Sequence, residues 1–562
     1  MFFMSDQHDS HAHFGWFKRR KNLTPDDITV VDTDMLRRAV GAAALGNAME
    51  WFDFGVYGYI AVTLGKVFFP SADPAVQLIS TFATFTVAFL VRPVGGAVFG
   101  PLGDRYGRQK LLAITMIMMA LGTFCIGLIP SYGQIGVWSP VLLLLARLVQ
   151  GFSTGGEYGG AATFIAEYST DRNRGLMGSW LEFGTLAGYI AGAGAVITLQ
   201  FLLSDAAMLG WGWRIPFLVA GPLGLIGLYM RTRLEETPAF QAYAEQAEKR
   251  EQDKPGWRAL LTVHWRQLLK CIGLVLVFNV TDYMLLTYIP SYMTVTLNYP
   301  ESKGLLLIIL VMVLMMPLNI LGGYFSDRLG RRPMVISACV ALFLLAIPSL
   351  HLIRSGNDFG IFGGLMLLGL ALVCFTSSMP STLPALFYTP VRYTALSVAF
   401  NVSVSLFGGT TPLITAWLVK KTNMLDMPAW YLMAAALIGA LTMLTVRETA
   451  RLPLRGSPPA VASEDEAERL LNSKQRLTVD PVPPPVPEAR DLFFRNWLSR
   501  NGRYQNRARR AWPSVTASML RNTASRATEI WWRARPGASL PACGMAGSRS
   551  AQKGSSGRKY RP

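Results

Sequence analysis

"GPLGDRYGRQK", Gly100 to Lys110, returns as "GYFSDRLGRRP", Gly323 to Pro333, with the glycines, the Asp-Arg pair and the paired basic residues in register. Each copy follows the second long apolar run of its half, so the chain reads as an internal duplication into two six-helix halves. Glycine permits a tight turn, and the turn holds an acid beside bases at the membrane surface, where they latch against a neighbouring helix in one conformation. The candidate latch residues are Gly100, Asp104, Arg105, Gly107 and Arg108 in the first copy. In the second they are Gly323, Asp327, Arg328, Gly330 and Arg331. A fainter echo supports the duplication: Glu167 and Arg174 in "AEYSTDRNRG" against Arg392 in "LFYTPVRYTA". Ala385 stands where the first copy has Glu167, so the charge latch is expected to be stronger in the N-terminal half.

Composition agrees. Of 562 residues, 51% are hydrophobic and 16% charged, with mean hydropathy +0.31, and apolar runs of roughly 18–25 residues are long enough to cross a bilayer as helices. The expected class is an all-α integral membrane protein. Its twelve predicted spans are 39–65, 76–100, 111–130, 138–165, 176–203, 214–230, 268–295, 303–325, 333–353, 360–384, 393–419 and 427–446. The halves are then 39–230 and 268–446. Residues 1–38 form an N-terminal segment, 231–267 a linker and 447–562 a disordered basic tail. The spacing of Cys125, Cys271, Cys339, Cys374 and Cys543 fits neither a zinc site nor a secreted disulfide framework. His8, His11 and His13 have a loose metal-like spacing but read as a solvated tip. Neither a metal nor a cofactor is expected, and the N-terminus lacks the apolar core of a signal peptide.

Apart from the C-terminal end, the basic residues lie largely in alternate loops: "DRYGRQK", "TDRNRG", 231–267, "SDRLGRRP" and "VRYT" are basic, whereas "PSADPAVQ" and "SYGQIGVWSP" are not. By the positive-inside rule the basic loops and both termini are expected to be cytoplasmic. Residues 487–562 hold sixteen Lys/Arg against three Asp/Glu, with no heptad pattern. This end reads as an arm for anionic lipid, as a nucleic-acid contact, or, the favoured reading, as a frameshifted version of an ordinary tail. No nucleic-acid partner is expected.

Span 1 carries "LGNAMEWFDFGVYG", Leu45 to Gly58. At 100° per residue Asn47, Glu50, Asp53 and Tyr57 share one stripe. A charge at mid-membrane costs at least about 3 kcal/mol, so this stripe faces a cavity or a partner. Glu50 and Asp53 are placed to divide, or share, the binding of a proton and an ammonium. Arg92 either captures a substrate carboxylate by a bidentate fork or neutralises one of these acids. Arg147, Gln150, Glu157, Glu182, Asp282 and Asn401 are further polar residues within spans. Asp282 holds the position in span 7 that Asp53 holds in span 1. Trp51, Tyr57, Tyr283 and Tyr288 offer ring faces to a quaternary ammonium, or simply pack.

The doubled loop resembles the signature of the major facilitator superfamily. "FLVRPVGGAVFG", "QGFSTGGEYGGAATFIAEYS", "GWRIPF", "LEETPAF" and "LLTYIPSY" are similar, over about residues 24–475, to the metabolite:proton symporters within it, in particular those that take up osmolytes. The resemblance implies proton-coupled uptake of small zwitterions such as proline, glycine betaine and ectoine, by alternating access, activated at high osmolality. Symport of an organic acid such as citrate, 2-oxoglutarate or shikimate is the alternative, but the central candidates are mostly acidic. The rival from another class is a non-transporting membrane sensor that uses the fold only to report osmolality. No nucleophile–base pair or phosphate loop points to an enzyme.

Overall fold

Hydrocarbon offers a backbone amide nothing to bond, so a spanning segment must satisfy its own N–H and C=O groups as a helix. The computed structural model describes residues 28–232, apart from 72 and 107, and 264–472. The side chains of 100–101, 103–113, 156, 227–232 and 390 lie outside that description, as do the linker 233–263 and the tail from 473. Among the described residues the helices form twelve consecutive segments, called spans 1 to 12. They are Thr33–Phe68, Pro74–Tyr106, Arg108–Leu128, Trp138–Tyr168, Arg174–Leu202, Asp205–Thr232, Trp265–Val295, Glu301–Leu329, Arg331–Ile353, Asp358–Thr382, Arg392–Thr422 and Met427–Leu444. Eight are long and apolar enough to cross a membrane, and a bent pair, Asp205–Gly212 with Arg214–Ile226, makes a ninth. The other three are spans 1 and 4, which carry Glu50, Asp53, Arg147 and Glu157 and are broken along their length, and span 3, of which Ile114–Leu128 is a shorter apolar helix.

These breaks set where polar groups point. Span 1 begins at Thr33, earlier than expected, because the Asp32 side chain accepts the Asp34 and Met35 N–H groups as an N-cap. It is interrupted at Ile60 and resumes over Ala61–Phe68. Span 4 tightens to a 3₁₀ turn at Thr154–Gly156. Spans 7 and 11 each widen to a π turn, Met284–Tyr288 and Val404–Gly408, with Pro290 and Pro412 just beyond. Proline lacks the N–H that would continue the ladder, and π turns recur at functional sites.

Small residues let the helices approach. A Cβ on Gly184 of span 5 would stand 2.1 Å from the Ala44 carbonyl of span 1, and one on Gly151 of span 4 would stand 1.8 Å from the Ala88 carbonyl of span 2.

Beyond span 12 the chain does not become a free tail at residue 447. Residues 447–472 pack as a strap over the face on which the described chain begins and ends, the termini face. β2 (Ala460–Val461) pairs in parallel with β1 (Thr29–Val30), ahead of the helix Glu464–Asn472. Asp171 accepts the Ala460 N–H, and its own N–H donates to the Ala460 carbonyl. The stretch is polar and weakly patterned; its order comes from bonds to span ends, which local sequence does not reveal.

Candidate functional site

Glu50, Asp53 and Tyr57 are all buried, as their common stripe requires. Glu50 Oε1 lies 2.7 Å from Arg92 Nη2, with each side chain only 2% exposed. Arg92 lies over the adjoining rings of Phe54 and Phe89, at 4.8 and 4.6 Å from their centroids. Of the two roles left open for Arg92, neutralising Glu50 is the one seen in this conformation.

Asp53 sits differently. Its Oδ2 accepts the Thr123 hydroxyl at 2.7 Å, Thr123 accepts Gln150 Nε2 at 2.9 Å, and Gln150 in turn accepts from Arg147. The carboxylate is thus joined to a guanidinium through two neutral side chains, with no Lys or Arg at ion-pair distance among the described residues. Arg147 lies 4.0 Å from the Tyr57 ring centroid. The Tyr57 hydroxyl shares a hydrogen bond with Thr84 of span 2. Glu157 is buried just beyond the 3₁₀ turn, within electrostatic reach of Asp53.

Asn47 is turned toward span 5. Its Nδ2 donates to the Leu181 carbonyl and to Thr185, and its Oδ1 receives Trp51 Nε1 at 3.2 Å. It positions the Trp51 ring. Asn401 of span 11 donates to the Gly155 carbonyl, which the 3₁₀ turn in span 4 exposes, and so joins the two halves at mid-depth.

A second acidic region lies on spans 5 and 7. Glu182 Oε1 accepts the Tyr158 hydroxyl at 2.6 Å, and the Tyr158 ring is stacked on Phe400, 4.0 Å between centroids. Asp282, 3% exposed, neighbours Glu182 and Tyr189. Tyr189, Tyr158, Thr123 and Gln150 were not singled out as functional side chains by sequence reasoning, or only as polar residues in a span. A tyrosine or threonine in an apolar helix carries no distinguishing signal there.

At the termini face, Asp327 accepts the backbone N–H groups of Gly175 and Leu176 at 2.8 and 2.9 Å, so it caps span 5 from the other half. Asn173, the local N-cap residue, makes no side-chain cap of its own. Arg331 lies 3.7 Å from Asp327 and donates to the Ser381 carbonyl and to Thr449. Gly323 fits against Gly175 and Ser179; a Cβ there would lie 2.6 Å from Ser179 Oγ. Gly330 takes φ +103°, a conformation that suits glycine, facing Glu448. Arg328 is exposed over the Tyr324 ring. The side chains of Asp104, Arg105 and Arg108, and Gly100 and Gly107 with them, fall outside the described positions.

The other latch also crosses the halves. Arg392 pairs with Glu167 at 2.8 Å and donates to the Arg455 carbonyl of the strap. Arg174 bonds Asp171, the Ala166 carbonyl and the Leu452 carbonyl. Glu167 therefore serves both halves rather than strengthening one. Glu448 accepts four N–H groups, from Arg331, Arg332, Thr449 and Ala450. Partial burial opposes ionisation of Glu448, but these donors outweigh it and hold its carboxyl below the ordinary range. On the opposite face Lys420 pairs with Asp73, again between halves.

A family model described as Major Facilitator Superfamily matches residues 43–411. The chain is 56% identical over 460 residues to the glycine betaine/proline/ectoine/pipecolic acid transporter OusA of Dickeya dadantii, covering 81% of this chain and 92% of that protein. It is 54% identical, with the same coverage, to the proline/betaine transporters of Salmonella typhimurium and Escherichia coli K12. Among solved structures, the proton:xylose symporter XylE bound to 6-bromo-6-deoxy-D-glucose matches with a TM-score of 0.61 at 17% identity, over 78% of this chain and 99% of that one. At that identity the likeness speaks to the fold alone.

Proposed function

Because the chain belongs to the major facilitator superfamily, we propose that it imports small zwitterionic osmolytes, with proline, glycine betaine and ectoine as the class, together with protons. The observation that carries this reading is the mixed-sign cluster at mid-depth. Glu50 and Arg92 form a closed pair, while Asp53 is held by a neutral hydroxyl and keeps the freedom to gain and lose a proton. A substrate carboxylate competes with Glu50 for the Arg92 guanidinium. Asp53 carries the proton, and Glu157 sits close enough to modulate it.

Rocking of the halves exposes the site alternately. The latches at Asp327 and at Glu167 with Arg392 close one side and part when the site opens there. We assign that side to the cytoplasm of a bacterial cell, with both termini and the linker 231–267, from the loop charge bias. Activation by high osmolality is part of the proposal and rests on the resemblance to osmolyte importers. The basic residues after 487 suit anionic lipid headgroups.

The test uses purified protein in proteoliposomes under an imposed pH difference. Asp53→Asn is expected to abolish accumulation while sparing part of the exchange of internal for external substrate, because exchange needs no net proton release. Glu50→Gln removes the competitor for Arg92 and is expected to alter substrate affinity and so both activities. Normal accumulation by both variants would remove the two carboxylates from the site.

A further inference from the structure

We infer that Asp282, with the rings of Trp51, Tyr189 and Tyr283, forms the subsite for the substrate's ammonium group, built jointly by the two halves. Glu50, the obvious anion, is already taken by Arg92. Asp282 is not: its Oδ2 is buried and receives no hydrogen bond, and no Lys or Arg lies at ion-pair distance among the described residues. A buried carboxyl group in that condition either keeps a proton or is met by a cation, so a cationic ligand has a site to fill there.

The rings beside it suit a cation without donors of its own. Trp51 lies 5.3 Å from Tyr189 and 5.9 Å from Tyr283, centroid to centroid, and both tyrosines are electrostatic neighbours of Asp282. Trp51 is fixed in place by its hydrogen bond to Asn47. Ring faces attract an alkylated ammonium, which cannot donate a hydrogen bond. The π turn that starts at Met284 immediately follows Asp282 and Tyr283 and breaks the regular ladder at that point.

Polarity adds a second argument. Tyr283 is within electrostatic reach of Arg92 and Arg147 and of Asp282 and Glu50. Charges of both signs around one ring suit a zwitterion, its carboxylate assigned to Arg92 and its ammonium to Asp282. A dicarboxylate would meet Asp282 with like charge. Trp51 and Tyr189 belong to the first half and Tyr283 and Asp282 to the second, so a ligand held here is gripped from both sides and released as the halves part.

The subsite deepens the zwitterion reading above, and its test is made independent of proton coupling. Equilibrium binding of labelled glycine betaine and of labelled proline to the detergent-purified full chain gives two Kd values per variant. Glycine betaine carries a trimethylammonium with no N–H, whereas proline's secondary ammonium donates two. Tyr283→Leu and Trp51→Leu should raise the betaine Kd roughly tenfold or more and the proline Kd several times less. Asp282→Asn should do the reverse, weakening proline more than betaine, since a hydrogen-bonded ammonium loses most from a missing carboxylate. Tyr283→Phe, which keeps the ring, should leave betaine binding within about threefold of wild type. If the leucine variants do not fold, the ratio of the two Kd values in Asp282→Asn against wild type decides alone. An unchanged ratio, or an equal loss of both ligands in all variants, overturns the subsite. Wild-type protein that binds both ligands yet fails to accumulate them under a pH difference would instead sink the symport reading and leave the subsite standing.

Discussion

Replacing Glu50 by Gln strands the Arg92 guanidinium 2% exposed in the membrane interior, opposite a neutral amide. Removing one member of a buried pair costs about 3–5 kcal/mol, because the remaining charge keeps its desolvation penalty. The ring contacts of Arg92 with Phe54 and Phe89 are present with or without Glu50, so they do not reduce the difference. The expected loss for Glu50→Gln is therefore the full cost of about 3–5 kcal/mol. At roughly 2–4 °C per kcal/mol for a unit the size of one half, the midpoint of thermal unfolding should fall by about 6–20 °C. Glu50→Gln with Arg92→Gln places two neutral amides where the charges were. It should lose less than the sum of the single variants, with a coupling energy of about 2 kcal/mol. Thermal unfolding of the purified protein in detergent, followed for all four forms, completes the cycle. Losses that simply add would refute the view that these two residues neutralise one another, and would return Arg92 to the role of a standing carboxylate receptor.

Asp327→Ala removes the cap that span 5 receives from the opposite half, a change worth about 1–2 kcal/mol, and should raise the population open at the termini face roughly tenfold. Alkylation of a cysteine at Ser381, which lies beneath the Arg331 latch, should speed up accordingly in a background free of other cysteines; an unchanged rate would exclude the cap as a closing device. A chain stopped after Pro487 should keep betaine uptake, whereas one stopped after Val446 loses Glu448 and the strap and should show the same faster alkylation. Loss of uptake from the longer truncation would assign a function to the basic arm.

The doubled Gly-Asp-Arg loop was legible because a tight turn at a charged membrane surface needs particular residues at fixed spacing, and Asp327, Gly330 and Arg331 make their contacts and turn where that spacing puts them. The acidic stripe of span 1 was legible because charge is expensive in lipid. Which acid holds which partner was not. Glu50 and Asp53 are three residues apart, yet one meets Arg92 and the other Thr123, a difference set by how spans 2, 3 and 4 cross. Asn47 illustrates the same limit: it shares the stripe, but close approach at Gly184 delivers it to span 5 instead. The break at Ile60 follows no proline or paired glycines, and the strap is polar chain whose partners lie far away in sequence.

That distance bears on the order in which the molecule is made. Thr29 and Ala460 pair although about 430 residues separate them. Closing so long a loop costs an unstructured chain about 5 kcal/mol, more than a two-residue ladder returns. The ladder cannot nucleate anything; it forms only after the helices have already delivered both ends to one place. Its formation is therefore a late event of biogenesis, and protection of the Val31 amide from hydrogen exchange, through its bond to the Val461 carbonyl, reports on chains in which both halves have docked.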